Sequence, residues 1–282
     1  MTICSTSEQR SQVDGTGLLE LSFVNGRTVA TRCFATNPLK ILVPRRDNPA
    51  AWAYVSSYGG GMVSGDQIDL NVALHPGATC VLGTQASTKI YRDQNQRGCH
   101  QTVSARLAAG SMLIAVPDPV TCFRDAVFEQ QQSFYLEDDA SLVMVDWVTS
   151  GRRDAGEIWD FQRYRSRIDL YHNTQLTFSD TMLLDVQDGP IASAYRLGRF
   201  HCLATVVLAG PGVEQAGERI LADLSKEATA PGSSVIESVS PFDNGFVLRM
   251  LGMTTEKTSN RLKHRLVFLK ALLNETPWER KW

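Results

Sequence analysis

The sequence predicts a mainly β protein whose strands, antiparallel or mixed, stack in β-helix-like layers, with a small helical part toward the C-terminus. Polar and apolar residues alternate along many segments, which is the two-residue period of a strand. Strand–turn–strand units also recur, with turns centred near residues 77, 110, 140 and 174. A steady spacing of about 30 to 34 residues is typical of layers that bury their apolar faces on one another. A β-sandwich, with shorter spacing, is the alternative.

The first of these units shows the strand pattern most clearly. Apolar side chains occupy every second position from Ile68 to Leu74, with Asp69 and Asn71 between them. The turn "HPGA" and a second strand, "TCVLGT", follow at once. The later units run from "VSARL" to "MLIAV", from "SFYL" to "LVMVDW" and from "YRSRIDLY" to "QLTF". We therefore expect four pairs of strands, each pair joined by a short turn.

Two helices are predicted near residues 213–229 and 257–274. The first has apolar residues at helical spacing between two Pro-Gly turns: Val213, Ala216, Ile220, Leu224 and Ala228. The second carries Leu262, Leu266, Leu269 and Leu273, and Thr258 or Ser259 is its expected N-cap. Residues 1–17 are polar and contain glycine, so we expect a flexible N-terminus. No long linker follows, so residues 18–282 are expected to form a single domain.

Composition excludes several classes of function. The net charge of −2 and the absence of a basic run argue against binding to nucleic acid or to an anionic membrane surface. Six cysteines without a C-x-x-C pair indicate free thiols in a reducing compartment. With neither a signal peptide nor a long apolar run, we expect a cytoplasmic protein.

The glycine-rich stretch "YGGGMVSGD", Tyr58–Asp66, invites comparison with a phosphate-binding loop. A Walker A motif requires a lysine where Asp66 stands, and a carboxylate there would repel phosphate. The dinucleotide fingerprint also fails, because Ser64 occupies its third glycine position and a strand follows instead of a helix. We therefore interpret Gly59–Gly61 as a bend or bulge between strands.

Two groups of polar residues are not explained by such a bend. The first surrounds Asp66 at predicted strand ends and comprises Thr84, Gln85, Thr88 and Lys89. The second begins at Asp146, which lies in register with Leu142 and Met144. If that face points inward, a carboxylate is buried at a cost of several kcal/mol unless Arg152, Lys89 or a metal ion pairs with it. A buried salt bridge at a strand end is the structural alternative, and the scattered histidines and cysteines predict no high-affinity transition-metal site.

Five segments, in this order, closely resemble the urease accessory protein D family, called H in some bacteria. They are "NPLKILVP" (37–44), "YVSSYGGGMVSGD" (54–66), "LGTQASTKIYR" (82–92), "VPDPVTCFRDAVFEQ" (116–130) and "LVMVDWVTSGRRDAGEIWDFQRYRSR" (142–167). The resemblance is strong over about residues 18–210, and it is weaker beyond, where helices are shared. The segments "SSYGGGMVSGD" and "LGTQASTK" are most similar to the sequences of the eukaryotic branch of the family.

The resemblance implies a right-handed β-helical stack with a short helical part near the C-terminus. It also implies a chaperone that acts with accessory proteins F and G to insert nickel into apo-urease, as a scaffold and not as an enzyme. Protein G binds the GTP in this family, which agrees with the failed nucleotide motifs here. A nickel passage through protein D is implied too, so nickel is expected as transient cargo and no cofactor is expected to bind tightly.

A passage must bind nickel weakly, and carboxylate and water ligands do so better than clusters of thiolate or imidazole. We therefore hypothesise that the passage is lined by Asp66, Asp146 and Glu157, with Thr84, Gln85, Thr88, Lys89 and Arg152 nearby. The helix that carries Leu262, Leu266 and Leu269 is a candidate contact for protein F, and packing of that helix against its own sheet is the alternative.

Two other functions remain open from the residues alone. The chain could be an enzyme that uses Lys89 and Asp66 as a charged pair. It could also be a β-repeat interaction module without any role in metal delivery.

Overall fold

The computed structural model describes residues 14–227, 230 and 232–279, and strands dominate this part of the chain. The strands are β1 Thr16–Val24, β2 Arg27–Ala35, β3 Leu39–Leu42, β4 Ala51–Ser57, β5 Gly61–Met62, β6 Gln67–Leu74, β7 Thr79–Thr84, β8 Thr88–Ile90, β9 Cys99–Leu107, β10 Met112–Ala115, β11 Val120–Cys122, β12 Val127–Leu136, β13 Ser141–Thr149, β14 Arg163–His172, β15 Gln175–Asp185, β16 Cys202–Ala209, β17 Val235–Phe242 and β18 Gly245–Gly252. The helices are α1 Glu214–Leu224, α2 Thr255–Arg265 and α3 Phe268–Leu273.

These strands form two sheets that face each other. The first sheet has the strand order β15-β14-β12-β9-β6-β1-β2. The second has the order β17-β18-β16-β13-β10-β7-β4-β3, and the short strands β5, β8 and β11 pair beside it. The predicted mainly β fold with stacked layers and C-terminal helices is confirmed.

Three of the four predicted units are coils of a β-helix. The strands β6, β9 and β12 are parallel neighbours in the first sheet, and β7, β10 and β13 are parallel neighbours in the second. Each intervening turn therefore carries the chain from one sheet to the other. The spacing of about 30 residues is the length of one such circuit.

The fourth unit is different, because β14 and β15 pair with each other as an antiparallel hairpin within the first sheet. Asn173 and Thr174, at the turn, both have positive φ, 45° and 71°. Two consecutive residues of this kind form a type I′ hairpin turn, which reverses the chain within a sheet. The regular spacing thus ends in a hairpin and not in a fourth coil.

Apolar side chains form two cores, one on each side of the second sheet. The core between the sheets includes Leu70, Phe134 and Leu142. The core on the outer side includes Trp52 and Val206 from the sheet, and the helices cover it. The outer face of the second sheet is therefore buried on the same chain. None of the helices that the structure describes combines the length and the apolar character needed to traverse a lipid bilayer.

Both predicted helices exist, with different ends. The first, α1, stops at Leu224, and the predicted Ala228 lies outside the described residues. The second divides into α2 and α3, and its N-cap is Thr254, whose hydroxyl accepts a hydrogen bond from the backbone N–H of Lys257 at 3.2 Å. The predicted caps were wrong, because Thr258 and Ser259 lie inside the helix.

Only the last four residues of the predicted flexible N-terminus, residues 1–17, belong to the described part of the chain. Residues 1–13 lie outside the described residues, while β1 begins at Thr16. Residues 16 and 17 are therefore strand and not a flexible segment. They are held there because β1 pairs with β2 on one side and with β6 on the other.

The proposed contact of Leu262, Leu266 and Leu269 with a partner protein is wrong for these side chains. All three have a relative exposure of 0% and belong to the outer core. They pack against their own sheet, as the alternative interpretation held, because the apolar stripe of an amphipathic helix is the surface it buries.

We expect Leu262→Ala to lower the free energy of unfolding by about 2–5 kcal/mol, because it opens a cavity in the outer core. Urea denaturation measures this change. Val267→Ala is the matched control: Val267 lies between α2 and α3 but is 65% exposed, so its loss should change stability by less than about 0.5 kcal/mol. Equal effects of the two substitutions would contradict the packing described here.

Candidate functional site

A polar cavity of about 120 Å³ lies between the two sheets. Its walls combine apolar residues of the inner core with hydroxyl, amide and carboxyl groups. The polar lining residues are Ser56, Ser57, Thr84, Ser87, Thr88, Gln101, Asp118, Gln130, Gln132 and Asp146. A cavity of this size holds several water molecules, so polar side chains in its wall can be hydrated. The exposed lining residues Gly60 and Ala86 mark where it reaches solvent.

Strand periodicity places these side chains inside. On β12, Gln130 and Gln132 lie on the face of Phe128 and Phe134, which are buried in the inner core. On β13, Asp146 follows Leu142 and Met144 on the inward face, as the sequence register predicts. The two strands belong to opposite sheets, so their polar side chains meet across the interior.

Asp146 is 6% exposed and is held by neutral donors. Its carboxylate accepts hydrogen bonds from Gln130 Nε2 at 2.7 Å and from Ser166 Oγ at 2.5 Å. Tyr164 OH donates a longer bond, at 3.4 Å. The expectation that Arg152, Lys89 or a buried salt bridge neutralises this carboxylate is therefore wrong: the compensation comes from a hydrogen-bond network contributed by β12 and β14.

Burial controls the protonation of this site. Desolvation raises the pKa of Asp146 above its ordinary value, and the nearby negative charge of Asp180 acts in the same direction. The hydrogen bonds from Ser166, Gln130 and Tyr164 oppose the shift without cancelling it. The Tyr164 hydroxyl has a raised pKa as well, first because it is buried and then because Asp146 is close. It remains a neutral donor as a result.

A second polar pair lies in another part of the cavity wall, at the end of β7. Thr84 Oγ1 donates to Asp118 Oδ2 at 3.2 Å and accepts from the backbone N–H of Asp118 at 2.8 Å. Asp118 lies in the rigid turn between Pro117 and Pro119. Its carboxylate is thereby held beside the cavity.

The structure separates Asp66 from this site. Asp66 closes its own turn, because its Oδ2 accepts from the Val63 backbone N–H at 2.8 Å and its own N–H donates to the Val63 carbonyl. Asp66 is not among the described residues that line this cavity. Its assignment to a nickel passage stays a prediction.

Glu157 is likewise elsewhere. Arg152 binds its carboxylate with two nitrogens, Nε at 2.9 Å and Nη2, and the Arg152 guanidinium stacks over the Phe123 ring at 4.1 Å. The hydrogen bond from Arg152 lowers the pKa of Glu157. This carboxylate is held by Arg152 in the loop after β13 and does not line the cavity described above, so its assignment to a passage stays a prediction.

Of the four polar residues predicted to surround Asp66, two line the cavity and two do not. Thr84 and Thr88 line the cavity, whereas Gln85 and Lys89 are exposed and do not. Sequence reasoning missed Gln130 and Gln132, although a signal was present: both lie between Phe128 and Phe134 on the same face of β12. Ser166 carried the same signal between Tyr164 and Ile168.

The glycines behave as the bend interpretation predicts. Gly59 and Gly60 have positive φ, 75° and 73°, in a short turn before β5. A strand, β6, follows, so no helix N-terminus is available for a phosphate. Within the described residues, no three His, Cys, Asp or Glu side chains come together as a metal-binding group.

Comparisons with known proteins point to one family. The family model described as UreD urease accessory protein matches residues 14–282. Urease accessory protein UreD of Sorangium cellulosum is 39% identical, over 97% of this chain and 86% of that protein. Urease accessory protein D of Arabidopsis thaliana is 35% identical, over 93% of this chain and 99% of that protein. Urease accessory protein 4 of Cryptococcus neoformans is 31% identical over 70% of this chain and 71% of that protein. Bacterial and plant relatives match about equally, so the eukaryotic branch remains a prediction.

We expect Asp146 to make stability fall with rising pH. Its folded-state pKa is raised, so the unfolded chain releases this proton at lower pH, and the stability it contributes is lost as pH rises through the folded-state pKa. Asp146→Asn does not ionise. The free energy of unfolding of wild type minus that of Asp146→Asn should therefore decrease as the pH rises above the ordinary pKa range of an aspartate. Urea titrations across this range measure it, and a difference that grows with pH would contradict the raised pKa.

Proposed function

The chain belongs to the UreD urease accessory protein family, and on that premise we propose that it serves urease maturation as a non-catalytic scaffold through which nickel passes to apo-urease. The polar cavity between the sheets is the observation that supports nickel passage. An interior of this size would ordinarily be filled by apolar side chains. Here, carboxyl, amide and hydroxyl groups share the wall with apolar side chains, around a space large enough for several water molecules.

The chemistry of the lining suits transit. Nickel binds most tightly to imidazole and thiolate groups, and the polar lining of this cavity contains neither. Oxygen ligands and water can replace part of the hydration shell of the ion without holding it for long. Asp146 contributes the buried carboxyl group, and protonation of that group would weaken its attraction for a cation.

The partners follow from the family and not from the geometry. We propose that accessory proteins F and G act with this chain in the cytoplasm and that protein G supplies the GTPase. The absence of a Walker lysine in the glycine turn supports this division of labour, because Asp66 stands at that position.

The two alternatives make different predictions. An enzyme that uses Lys89 and Asp66 receives no support from geometry, because Asp66 is engaged in its own turn and Lys89 projects from an exposed position on β8. A β-repeat interaction module without a metal role would support urease assembly whatever stands at Asp146. Equilibrium dialysis against nickel, with wild type and Asp146→Asn compared, distinguishes the module from the passage.

We expect Asp146→Asn to reduce nickel-dependent activation of apo-urease several-fold when the chain is reconstituted with accessory proteins F and G. The amide keeps the size of the side chain but removes the charge that attracts the cation. Asp66→Asn is the matched control, because it removes the same charge while its amide oxygen can still accept from Val63. Activation should stay near wild type in that variant.

Complex formation is measured alongside by size-exclusion chromatography. If Asp146→Asn activates urease normally in an intact complex, the passage through this cavity is wrong. If it reduces activation only because the complex fails to form, the residue is structural.

A further inference from the structure

The last described residues form a strap over the outer side of the second sheet. We call residues 274–279 the C-terminal strap; it starts at Asn274, which ends α3 with a positive φ of 54°. Glu275 pairs with Arg46 Nη1 at 2.8 Å. Just before the strap, the Leu273 carbonyl accepts from Asn48 Nδ2 at 2.9 Å. Pro277 is buried, so the strap is fixed by polar contacts and by packing.

A second, smaller cavity of about 80 Å³ lies beneath this strap. The second sheet contributes Tyr54 and Val81, the helix α2 contributes Lys263, and the strap contributes Pro277 and Trp278. Trp278 also packs against the outer core, and the Lys263 ammonium lies 5.9 Å from the centre of its ring. The strap is therefore one wall of this outer cavity.

The two cavities are on opposite sides of the second sheet, yet they share five lining residues: Gly83, Thr84, Pro117, Asp118 and Trp147. A single layer of residues, at the ends of β7 and β10 and on β13, thus separates the interior cavity from the space beneath the strap. The separation includes the hydrogen-bonded pair of Thr84 and Asp118. Gly83 and Thr84 are small, while Trp147, whose indole N–H donates to the Pro117 carbonyl at 2.9 Å, is the bulky member of this wall.

We propose that the interior cavity has a second opening, between Thr84 and the Pro117–Asp118 turn, and that the C-terminal strap covers it. This inference rests on the proposed function, because a passage requires two ends, and the exposed lining residues Gly60 and Ala86 mark one of them. The Thr84 hydroxyl and the Asp118 carboxylate are oxygen ligands suited to a hydrated divalent cation at the opening. Displacement of the strap would connect the interior with solvent, or with a partner bound at this end.

The reaction rate of a thiol introduced by Gly83→Cys measures how well the strap covers the proposed opening. A Cβ at this position would lie 3.4 Å from the nearest Tyr54 ring atom and 3.6 Å from the Val116 carbonyl oxygen, which is ordinary contact. In a background with Cys4→Ser and Cys33→Ser, this thiol should react slowly with a methanethiosulfonate reagent. Adding Trp278→Ala should accelerate the reaction several-fold.

Two comparisons make this labelling experiment interpretable. Val267→Ala, outside the strap, should leave the rate unchanged. The buried Cys80 lies on the same strand as Gly83, so its continued slow reaction shows that Trp278→Ala has not unfolded the sheet. An unchanged rate at position 83 in Trp278→Ala, or fast labelling with the strap intact, would show that the strap is not a cover.

A second experiment tests whether urease activation depends on the proposed opening. Gly83→Cys protein labelled with a benzyl methanethiosulfonate should activate urease several-fold less than the same protein labelled with the methyl reagent, in complexes of equal yield. Equal activation by the two labelled forms would overturn the opening. If Asp146→Asn reduces activation while the benzyl label does not, the passage stands and this opening is wrong. If neither reduces activation, the proposed nickel passage fails as well.

Discussion

The parallel register between successive coils is the constraint on which the structure depends. Because β6, β9 and β12 align residue for residue, and β7, β10 and β13 do the same in the opposite sheet, every inward position of one coil lies beside an inward position of the next. Apolar residues at these positions form the inner core. Polar residues at the same positions are largely removed from bulk solvent, so they must satisfy one another or surround water.

That constraint explains how a carboxyl group is accommodated in the interior. Asp146 is stabilised by amide and hydroxyl donors from strands in the facing sheet, and no Lys, Arg or His of the described residues pairs with it. A neutral network has a different consequence from a salt bridge. It leaves the pKa of the carboxyl raised, because neutral donors do not offset the cost of burying the charge as a cation would. Glu157 illustrates the other case, because Arg152 already occupies its carboxylate and lowers its pKa.

The two faces of the second sheet have different roles. The inner face borders the polar cavity, while the outer face is sealed by the three helices and by the C-terminal strap. The leucines of α2 and α3 are buried against the outer face of the sheet, so they are unavailable to a partner in this conformation. The same arrangement leaves the wall at Thr84 and Asp118 only one residue thick. The seal on the outer face and the proposed second opening thus lie at the same end of the molecule.

The sequence by itself determined what depends on local periodicity and local chemistry. It predicted the alternating strands, the spacing of the coils, the inward face of Asp146, the bending role of Gly59–Gly61 and the absence of a phosphate loop. Only the tertiary structure decided which residues from different coils meet. Gln130 and Ser166 reach Asp146 from strands of the other sheet, Asp66 turns back on Val63, and Asn173–Thr174 replaces a fourth coil with a hairpin. The physical reason is that a strand's two-residue period fixes the direction of each side chain, whereas the stacking of distant strands fixes its neighbours.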